Sequence, residues 1–384
     1  MREILQIAFL VSIGFALFTV AGYPIALALL ARWRSKPVNK IFVPKSVTVL
    51  LPVRNGERWL RSKLESLLAL QYPRELIQIL VISDGSVDTT DAIAREFVLS
   101  GEIELLRIPA GGKAVALNAG LERARGEILF FTDVRQAIDP DSLRHLVACF
   151  SDPLVGAVSG ELVIRDGETL EELSIGLYWK YEKWMRKRES RIDSVMGATG
   201  CIYAMRRALA VPLRPGTLVD DMFLPLAAFF AGYRVIMEEN AKAFDYPTGL
   251  DVEFRRKVRT LAGVFQITEL YPQLLSWHNR MLLAFVFHKL ARLLMPYALL
   301  LAAATSLALP EPWRIEVLIA QIMFYGLALA DPYVPRNLRL KRITSPLRSF
   351  IVLLAAAFFA ARVLFPNAQN LWKETQVRSV QPKT

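Results

Sequence analysis

The stretch that decides the fold is VTVLLPVRNGE, residues 47–57. It begins with Val47–Leu51, a short apolar run rich in β-branched residues, which predicts a buried strand. Pro52 and the Asn55-Gly56 pair follow, and these residue types are typical of turns. The strand is therefore expected to end in a turn at this point of the chain.

The residues that follow alternate between helical and extended patterns. The first helix has apolar residues at helical spacing, namely Trp59, Leu60, Leu64, Leu67 and Leu68. The later elements are strand Ile77–Ile82, helix Asp91–Leu99, strand Ile103–Ile108, helix Ala114–Ala124 and strand Ile128–Thr132. This alternation predicts an α/β fold with a mostly parallel sheet and helices on its faces.

Polar residues follow three of the predicted strands. Asn55, Asp84 and Asp133 each come at or just after the end of an apolar run. In open parallel sheets, ligands bind beyond the carboxyl ends of the strands. These three side chains are therefore the first candidates for a binding site.

The composition indicates a chain divided between a bilayer and water. Of the 384 residues, 53% are hydrophobic, and the mean hydropathy is +0.32. Soluble domains have roughly 45–50% apolar residues. Charged residues still make up 22% of the chain, so apolar segments and a soluble body are expected to be separate.

Charge and cysteine content exclude several classes of protein. The net charge of +11 fits basic residues beside membrane spans or a nucleic-acid surface. There is no RNP-like, zinc-finger or helix-turn-helix pattern, so we expect no nucleic-acid partner. The two cysteines, Cys149 and Cys201, are far apart, which argues against a disulfide framework. The three histidines form no paired His motif, which argues against a zinc site.

The first apolar run, Ile4–Leu30, is long enough to cross a bilayer core, which needs about 20 residues. A signal peptide is the alternative, but its apolar region is usually only about 7–15 residues long. The run is followed by Arg32, Arg34, Lys36, Lys40 and Lys45. By the positive-inside tendency, this flank is cytosolic.

The chain becomes apolar again after Gly263. Three further candidate spans are Leu282–Leu309, Trp313–Ala330 and Phe350–Phe365. The link Pro332–Arg348 is basic and is expected in the cytosol, while the side of the C-terminus stays open.

The expected organisation has five parts. They are an N-terminal transmembrane helix (1–31), a cytosolic α/β domain (32–263), interfacial helices (264–288), about three C-terminal transmembrane helices (289–366) and a tail (367–384). Such a chain is an integral membrane protein, expected in a bacterial inner membrane with the α/β domain in the cytosol.

Four motifs occur in order along the α/β region. After VTVLLPVRNGE come VISDGSVD (81–88), then GGKAVALNAG (111–120) with GEILFFTD (126–133), then Asp220-Asp221 with RRKVRT (255–260) and Gly263. Together they resemble the family 2 glycosyltransferases of GT-A fold, the group that includes cellulose, chitin and hyaluronan synthases. The resemblance covers about Val47 to Gly263, and its specificity lies in the order of the motifs.

The resemblance implies an inverting enzyme that uses a nucleotide-diphosphate sugar and Mg²⁺ or Mn²⁺. Asp133 resembles the first aspartate of the family's Asp-x-Asp motif, which makes it the expected metal ligand. The third position of this motif is Arg135 instead of Asp. This departure either weakens metal binding or gives the site a cation that pairs with phosphate.

The resemblance also implies the nucleotide site. Asp84 resembles the aspartate that contacts the nucleobase, commonly uracil, and Lys113 resembles the family's contact to the nucleotide. Arg54 stands where an aromatic residue is common. The nucleotide-binding set implied in this way is Pro52, Asn55, Glu57, Asp84, Gly85, Lys113 and Asp133.

Asp221 resembles the catalytic base, because direct displacement needs a group that takes the proton of the acceptor hydroxyl. Its neighbour Asp220 is the competing candidate. The acceptor set implied by the resemblance is Gly197, Thr199, Gly200 and Asp220. The segment Tyr178–Arg191, which contains Arg186, is interpreted as a basic aromatic helix packed on the soluble body or on the membrane face.

Arg256 and Arg259 lie where the family has Gln-x-x-Arg-Trp, and only the arginine at 259 is kept. Both are candidates for binding the diphosphate, because guanidinium binds phosphate bidentately. The missing tryptophan leaves acceptor stacking at this place open.

Three hypotheses about function remain. The first is extension of a polysaccharide, the second is a single transfer to a membrane lipid, and the third is a catalytically silent subunit of a polysaccharide-export assembly. About four spans is lean for a self-contained channel, which favours lipid transfer or a homo-oligomer. The expected partners are a nucleotide-sugar donor, the bilayer and a polysaccharide or lipid acceptor.

Overall fold

The computed structural model describes residues 1–164, 170–246, 250–335 and 338–364. It divides into two compact units. One unit comprises Ala31–Arg165 and Arg186–Tyr246, and the other comprises Met1–Leu30, Asp166–Met185 and Pro247–Thr384. The segment Asp166–Met185, which the sequence analysis places in the α/β domain, therefore groups with the apolar helices. The expected tail 367–384 lies outside the described residues.

The strands are β1 Val47–Val53, β2 Ile77–Asp84, β3 Glu104–Ile108, β4 Ile128–Phe131, β5 Ala137–Ile138, β6 Val155–Ile164, β7 Tyr203–Arg206 and β8 Arg234–Asp245. The α-helices are α1 Arg2–Leu17, α2 Tyr23–Trp33, α3 Glu57–Leu68, α4 Thr90–Leu99, α5 Lys113–Arg123, α6 Ser142–Ala148, α7 Leu170–Ile192, α8 Asp220–Phe230, α9 Leu250–Leu270, α10 Leu282–Ala284, α11 Ala291–Thr305, α12 Trp313–Ala330 and α13 Lys341–Ala360. Two π-helical segments, Phe18–Gly22 and Phe285–Leu290, join α1 to α2 and α10 to α11.

The strands of the first unit form one mixed sheet with the order β3-β2-β1-β4-β7-β6-β8-β5. The half that the sequence predicts, β3-β2-β1-β4, is parallel throughout. In the other half, β7 is antiparallel to β4 and β6, and β5 is antiparallel to β8. The α/β class is confirmed, but the sheet is more mixed than the expected, mostly parallel one.

Burial explains why the parallel strands could be recognised from sequence. β1 is buried at almost every position, because helices cover both faces of a parallel sheet. Leu60, Leu64 and Leu67 of α3 belong to the same core as Val49 and Leu51 of β1. The helix spacing and the continuous apolar strand therefore report the same packing.

Among the described residues, four helical segments are long and apolar enough to cross a membrane. They are Arg2–Trp33, Leu282–Ala308, Trp313–Tyr333 and Lys341–Ala360, with mean hydropathies of 2.3, 1.6, 1.4 and 1.8. These segments fit a membrane-embedded chain.

The last of these helices begins earlier than expected, at Lys341 instead of Phe350. In its first turns, the polar residues Thr344 and Ser345 are buried. They donate hydrogen bonds of 2.6 and 3.0 Å to Oδ1 of Asp331. Lys341 Nζ lies 3.0 Å from the same carboxylate. Hydropathy alone does not detect a helical turn that is buried through polar contacts.

α9 continues through residue 263, where the sequence analysis places a domain boundary. The segment 264–288 contains the end of this helix, a 3₁₀ turn at Pro272–Leu275 and the start of the next apolar helix, and its expected place at the membrane interface stays a prediction.

A glycine at the start of β4 provides a test of the sheet. An alanine Cβ at Gly126 would lie 2.5 Å from the backbone nitrogen of Thr48 and from the carbonyl carbon of Val47. We expect Gly126→Ala to lower the free energy of unfolding by about 3 kcal/mol, because backbone atoms of β1 must move apart. Gly326→Ala on α12 is the control, since nothing lies within 4 Å of its Cβ. Equal melting temperatures of the two variants in detergent would contradict this packing.

Candidate active site

The carboxyl ends of β1 to β4 lie at one edge of the sheet. The register pairs Val53 with Ser83, Asp84 with Ile108 and Leu50 with Phe131. The loops that follow these strands therefore meet, and they carry Asn55, Asp84 and Asp133, as the sequence analysis expects.

Hydrogen bonds join the loops after β1 and β2. Asn55 has a left-handed backbone conformation with φ of 51°. Its backbone N–H donates to Oγ of Ser86 at 3.1 Å, and its Oδ1 accepts from the N–H of Val87 at 3.0 Å. The N–H of Gly56 donates to Oγ1 of Thr90 at 2.7 Å. The two loops thus form one connected surface.

Glu57 strengthens the same connection. Its Oε2 accepts hydrogen bonds from the N–H and the hydroxyl of Thr89, at 3.1 and 2.7 Å. Pro52 lies within β1, opposite Ile82. Asn55 and Glu57 therefore hold loops together in this structure, and the nucleotide-binding roles of all three residues stay predictions.

Asp84 orders the glycine loop before α5. Its buried carboxylate accepts hydrogen bonds from the N–H groups of Gly111 (2.6 Å) and Gly112 (3.0 and 3.1 Å). Gly85 has φ of 60°, and a Cβ there would lie 2.7 Å from the backbone nitrogen of Ala110, so only glycine fits. A carboxylate has about four acceptor sites, so these bonds still leave room for another donor. The expected contact of Asp84 to a nucleobase stays a prediction.

Lys113, the first residue of α5, joins two carboxylates. Its Nζ lies 2.9 Å from Oδ1 of Asp133 and 3.1 Å from Oδ1 of Asp220. Burial opposes the charged form, but the acidic neighbours outweigh burial and raise the pKa of Lys113. A permanent cation therefore connects the β4 loop to the start of α8.

The paired aspartates at the start of α8 have different surroundings. Asp220 faces Lys113, and its Oδ2 accepts a long hydrogen bond of 3.5 Å from the hydroxyl of Tyr203. Asp221 lies against the small-residue segment, because a Cβ on Gly200 would be 2.9 Å from its Oδ2. Both carboxylates are in the first helical turn, where the helix dipole favours negative charge.

The predicted acceptor segment, residues 197–200, is in direct contact with Asp221. The N–H of Ala198 donates to the backbone carbonyl of Asp221 at 2.6 Å. Gly197 has φ of 148°, a conformation that favours glycine. The N–H of Thr199 donates to Oγ of Ser159 on β6 at 2.9 Å. The structure thus brings together Asp221 and the three predicted acceptor residues of this segment.

Arg135, the departure from the family's motif, is held by a carboxylate that the sequence analysis did not identify. Its guanidinium forms an ion pair with the buried Asp245 at the end of β8. The amide of Gln136 donates to the same carboxylate at 2.9 Å. The motif position where the family has a second carboxylate therefore holds a cation that is paired with Asp245.

The described residues contain no cluster of three or more histidine, cysteine or acidic side chains that could hold a metal. Mg²⁺, however, is commonly bound by one or two carboxylates together with substrate phosphates and water. The side chain of Asp133 is 40% exposed and can supply such a carboxylate. The donor set thus fits a metal that arrives with a diphosphate.

Lys63 is a site residue that the sequence analysis missed. It is only 2% exposed, and its Nζ donates to Oγ1 of Thr132 at 2.6 Å and to the carbonyl of Gln136 at 2.7 Å. These acceptors flank the loop that carries Asp133. The sequence does carry a signal for Lys63, because it falls on the apolar face of α3, between Leu60 and Leu67. A lysine at such a position is expected to be buried.

Arg256 and Arg259 belong to α9 in the other unit. Arg256 forms an ion pair with Glu253 at 2.8 Å, and its guanidinium lies 5.3 Å from the ring centroid of Trp179. The predicted diphosphate contacts of both arginines stay predictions.

The mixed sheet, with a lysine and acidic residues at its carboxyl edge, agrees with the GT-A class of fold that the sequence analysis expects. Within this class, residues 48–211 match the family described as Glycosyl transferase family 2. This part of the chain is similar to the family 2 glycosyltransferase domains.

Several curated proteins are similar to the chain. A probable glycosyltransferase, YdaM, of Bacillus subtilis (strain 168) is 28% identical over 60% of this chain and 57% of its own length. The poly-β-1,6-N-acetyl-D-glucosamine synthase of Staphylococcus epidermidis is 31% identical over 36% of this chain and 35% of its own length. An N-acetylglucosaminyltransferase of Neorhizobium galegae is 28% identical over 67% of this chain and 63% of its own length. The chain thus spans less than two thirds of each relative.

One solved structure is similar across nearly the whole chain. It is a mannosyltransferase from Pyrobaculum calidifontis, in complex with GDP-Man and Mn²⁺. The TM-score is 0.72 at 23% sequence identity, and the match covers 96% of this chain and 100% of that one. This similarity confirms the fold.

The buried Lys63 predicts a dependence of stability on pH. Burial lowers the pKa of Lys63 to about 7, below the value of about 10.4 in an unfolded chain. Between these values the unfolded state binds more protons, so stability rises with pH by up to about 1.4 kcal/mol per pH unit. We expect Lys63→Met to reduce this rise between pH 7 and 9, as measured by urea unfolding at several pH values. Parallel pH profiles for the wild type and Lys63→Met would disprove the assignment.

Proposed function

We propose that the protein is an inverting glycosyltransferase that moves a sugar from a nucleotide-diphosphate donor to an acceptor at a membrane. The observation that carries this proposal is the contact of Lys113 with Asp133 and Asp220, directly beside Asp221 and the small-residue segment. The family 2 domain and the apolar helices support it.

Donor binding follows from charge and position. Lys113 keeps its positive charge and can attract the diphosphate, while the Asp84-Gly85 turn and Asn55 line the edge proposed for the nucleoside. UDP is the proposed nucleotide. GDP is the second candidate, because the similar mannosyltransferase is described with GDP-Man.

Asp133 is the residue proposed to hold Mg²⁺ or Mn²⁺ together with the donor phosphates. A bound divalent cation would stabilise the negative charge of the departing diphosphate. Arg135 adds a second cation beside Asp133, although Asp245 already pairs with it.

Asp221 is proposed as the base. Its carboxylate accepts the proton of the acceptor hydroxyl while that oxygen attacks the anomeric carbon. The bond from this carbon to the diphosphate oxygen breaks at the same time, which inverts the configuration. Asp220 is the weaker candidate, because Lys113 and Tyr203 already contact its carboxylate.

The acceptor is proposed to be a growing polysaccharide. The names of similar proteins, a poly-β-1,6-N-acetyl-D-glucosamine synthase and an N-acetylglucosaminyltransferase, support this choice. A membrane lipid is the alternative, because the four candidate spans found in the described part of the chain are few for a channel. A silent subunit is disfavoured, since Lys113 and Asp221 are both present in ordered positions.

The basic flank after the first span supports a cytosolic α/β domain, and a bacterial inner membrane is the proposed location. A homo-oligomer would supply the additional helices that a polysaccharide channel needs.

Release of nucleoside diphosphate tests the activity. We would incubate purified protein in nanodiscs with UDP- and GDP-sugars, Mg²⁺ or Mn²⁺, and a mixture of sugar and lipid acceptors. We expect release with one donor, loss of release with EDTA, and a decrease of about 100-fold or more in Asp221→Asn, because general-base catalysis contributes about 10²–10⁴-fold.

Two variants control this experiment. Asp220→Asn tests whether the neighbouring carboxylate is the base, and Asp141→Asn removes a carboxylate that makes no capping hydrogen bond in α6. Full activity of Asp221→Asn would disprove its role as the base. Failure of every donor to bind the wild type would contradict the proposed nucleotide site and favour the silent subunit.

Product size distinguishes the acceptors. With a radiolabelled donor, a polysaccharide synthase is expected to yield material that is excluded from a sizing column and is degraded by a glycosidase. A product that carries one sugar and partitions into organic solvent would replace the polysaccharide proposal with lipid transfer.

A further inference from the structure

Arg186 is a buried arginine on α7 whose contacts converge on the predicted acceptor segment. It is 9% exposed. Its guanidinium donates hydrogen bonds of 3.0 Å each to Oγ1 of Thr199, Oγ of Ser159 and the carbonyl of Gly197. All three partners are neutral oxygens, and two of them belong to residues 197–200.

Burying a charged guanidinium costs free energy unless the group is well hydrogen-bonded. The guanidinium is a planar group with five donors in a fixed geometry, so it can bind acceptors on two separate segments at once. Lysine carries the same charge on a flexible stem and cannot reproduce this geometry. The contacts therefore select arginine for its shape as well as its charge.

The segment that Arg186 holds forms one side of the surroundings of Asp221. The N–H of Ala198 donates to the Asp221 carbonyl at 2.6 Å. Gly200 approaches the carboxylate so closely that a Cβ there would lie 2.9 Å from Oδ2. Direct contacts thus lead from Arg186 through residues 197–200 to Asp221.

We propose that Arg186 is a positioning residue for acceptor transfer. It fixes residues 197–200 so that the acceptor hydroxyl and the carboxylate of Asp221 meet in the correct geometry. Arg186 itself does not touch the reacting atoms. The inference rests on the proposed function, in which Asp221 is the base.

This role has an effect on the acceptor side alone. The donor groups lie on other loops, since Asp84 contacts Gly111 and Gly112 and Lys113 contacts Asp133. Among the described residues, the hydrogen bonds of Arg186 reach Ser159, Gly197 and Thr199. Removal of its guanidinium should therefore leave donor binding intact.

The experiment compares Arg186→Lys with Arg191→Lys, an exposed arginine on the same helix. Arg186→Lys is expected to reduce kcat/KM for the acceptor by about 10–100-fold, the scale of a misplacement of about 1 Å. The dissociation constant of the nucleoside diphosphate, measured by titration calorimetry, should stay unchanged. Added guanidinium should restore part of the activity of Arg186→Ala.

Hydrogen exchange gives a measurement that does not depend on turnover. The amides of Ala198 and Thr199 should exchange faster in Arg186→Lys, while those of β1 to β4 keep their rates. Ser159→Ala removes one acceptor of Arg186 and also the acceptor of the Thr199 N–H, so only the amide of Ala198 is compared in this variant, and it should show a smaller change of the same kind. This variant keeps the test valid if Arg186→Ala does not fold.

The outcomes separate the two proposals. If the wild type releases no nucleoside diphosphate with any donor, the proposed function fails, and hydrogen exchange still tests whether Arg186 holds the segment. Wild-type acceptor kinetics in Arg186→Lys would overturn the positioning role. Weaker donor binding in Arg186→Lys would also overturn it, because the effect would not be specific to the acceptor.

Discussion

The ammonium group of Lys113 between Asp133 and Asp220 is the interaction on which the site depends. The two carboxylates come from the β4 loop and from α8, and like charges at this separation would repel each other without a cation. Lys113 can lie there because Asp84 binds the N–H groups of the glycine loop that precedes α5. One chain of contacts therefore connects the ends of β2 and β4 with the start of α8.

Two further buried basic side chains, Lys63 and Arg186, hold the loops around this centre. Lys63 binds the loop that carries Asp133, and Arg186 binds the segment beside Asp221. Both side chains donate hydrogen bonds to neutral oxygens, and these bonds order the segments that carry Asp133 and contact Asp221. The site thus combines hydrogen-bonded loops with a partly exposed carboxylate at Asp133. Such a carboxylate is accessible to a charged donor.

Arg135 changes the charge balance of a motif that otherwise resembles the family. The ion pair of Arg135 with Asp245 connects the β4 loop to β8. In the proposed reaction, Asp133 would hold the metal, and Lys113 would supply a protein cation for the phosphate charge beside it. This arrangement differs from a motif with two carboxylates, where the metal carries more of that task.

The sequence by itself determined the parallel half of the sheet, the helices that cover it and the positions of Asp84 and Asp133 at the ends of its strands. Apolar periodicity and turn residues are local signals, and these elements are built from neighbours in the chain. Only the tertiary structure decided how the four strands β5, β6, β7 and β8 pair. It also decided the polar start of α13 and the partners of Lys63, Arg135 and Arg186. Arg135 and Asp245 are 110 residues apart, and local sequence patterns carry no record of which distant side chains meet when the chain folds.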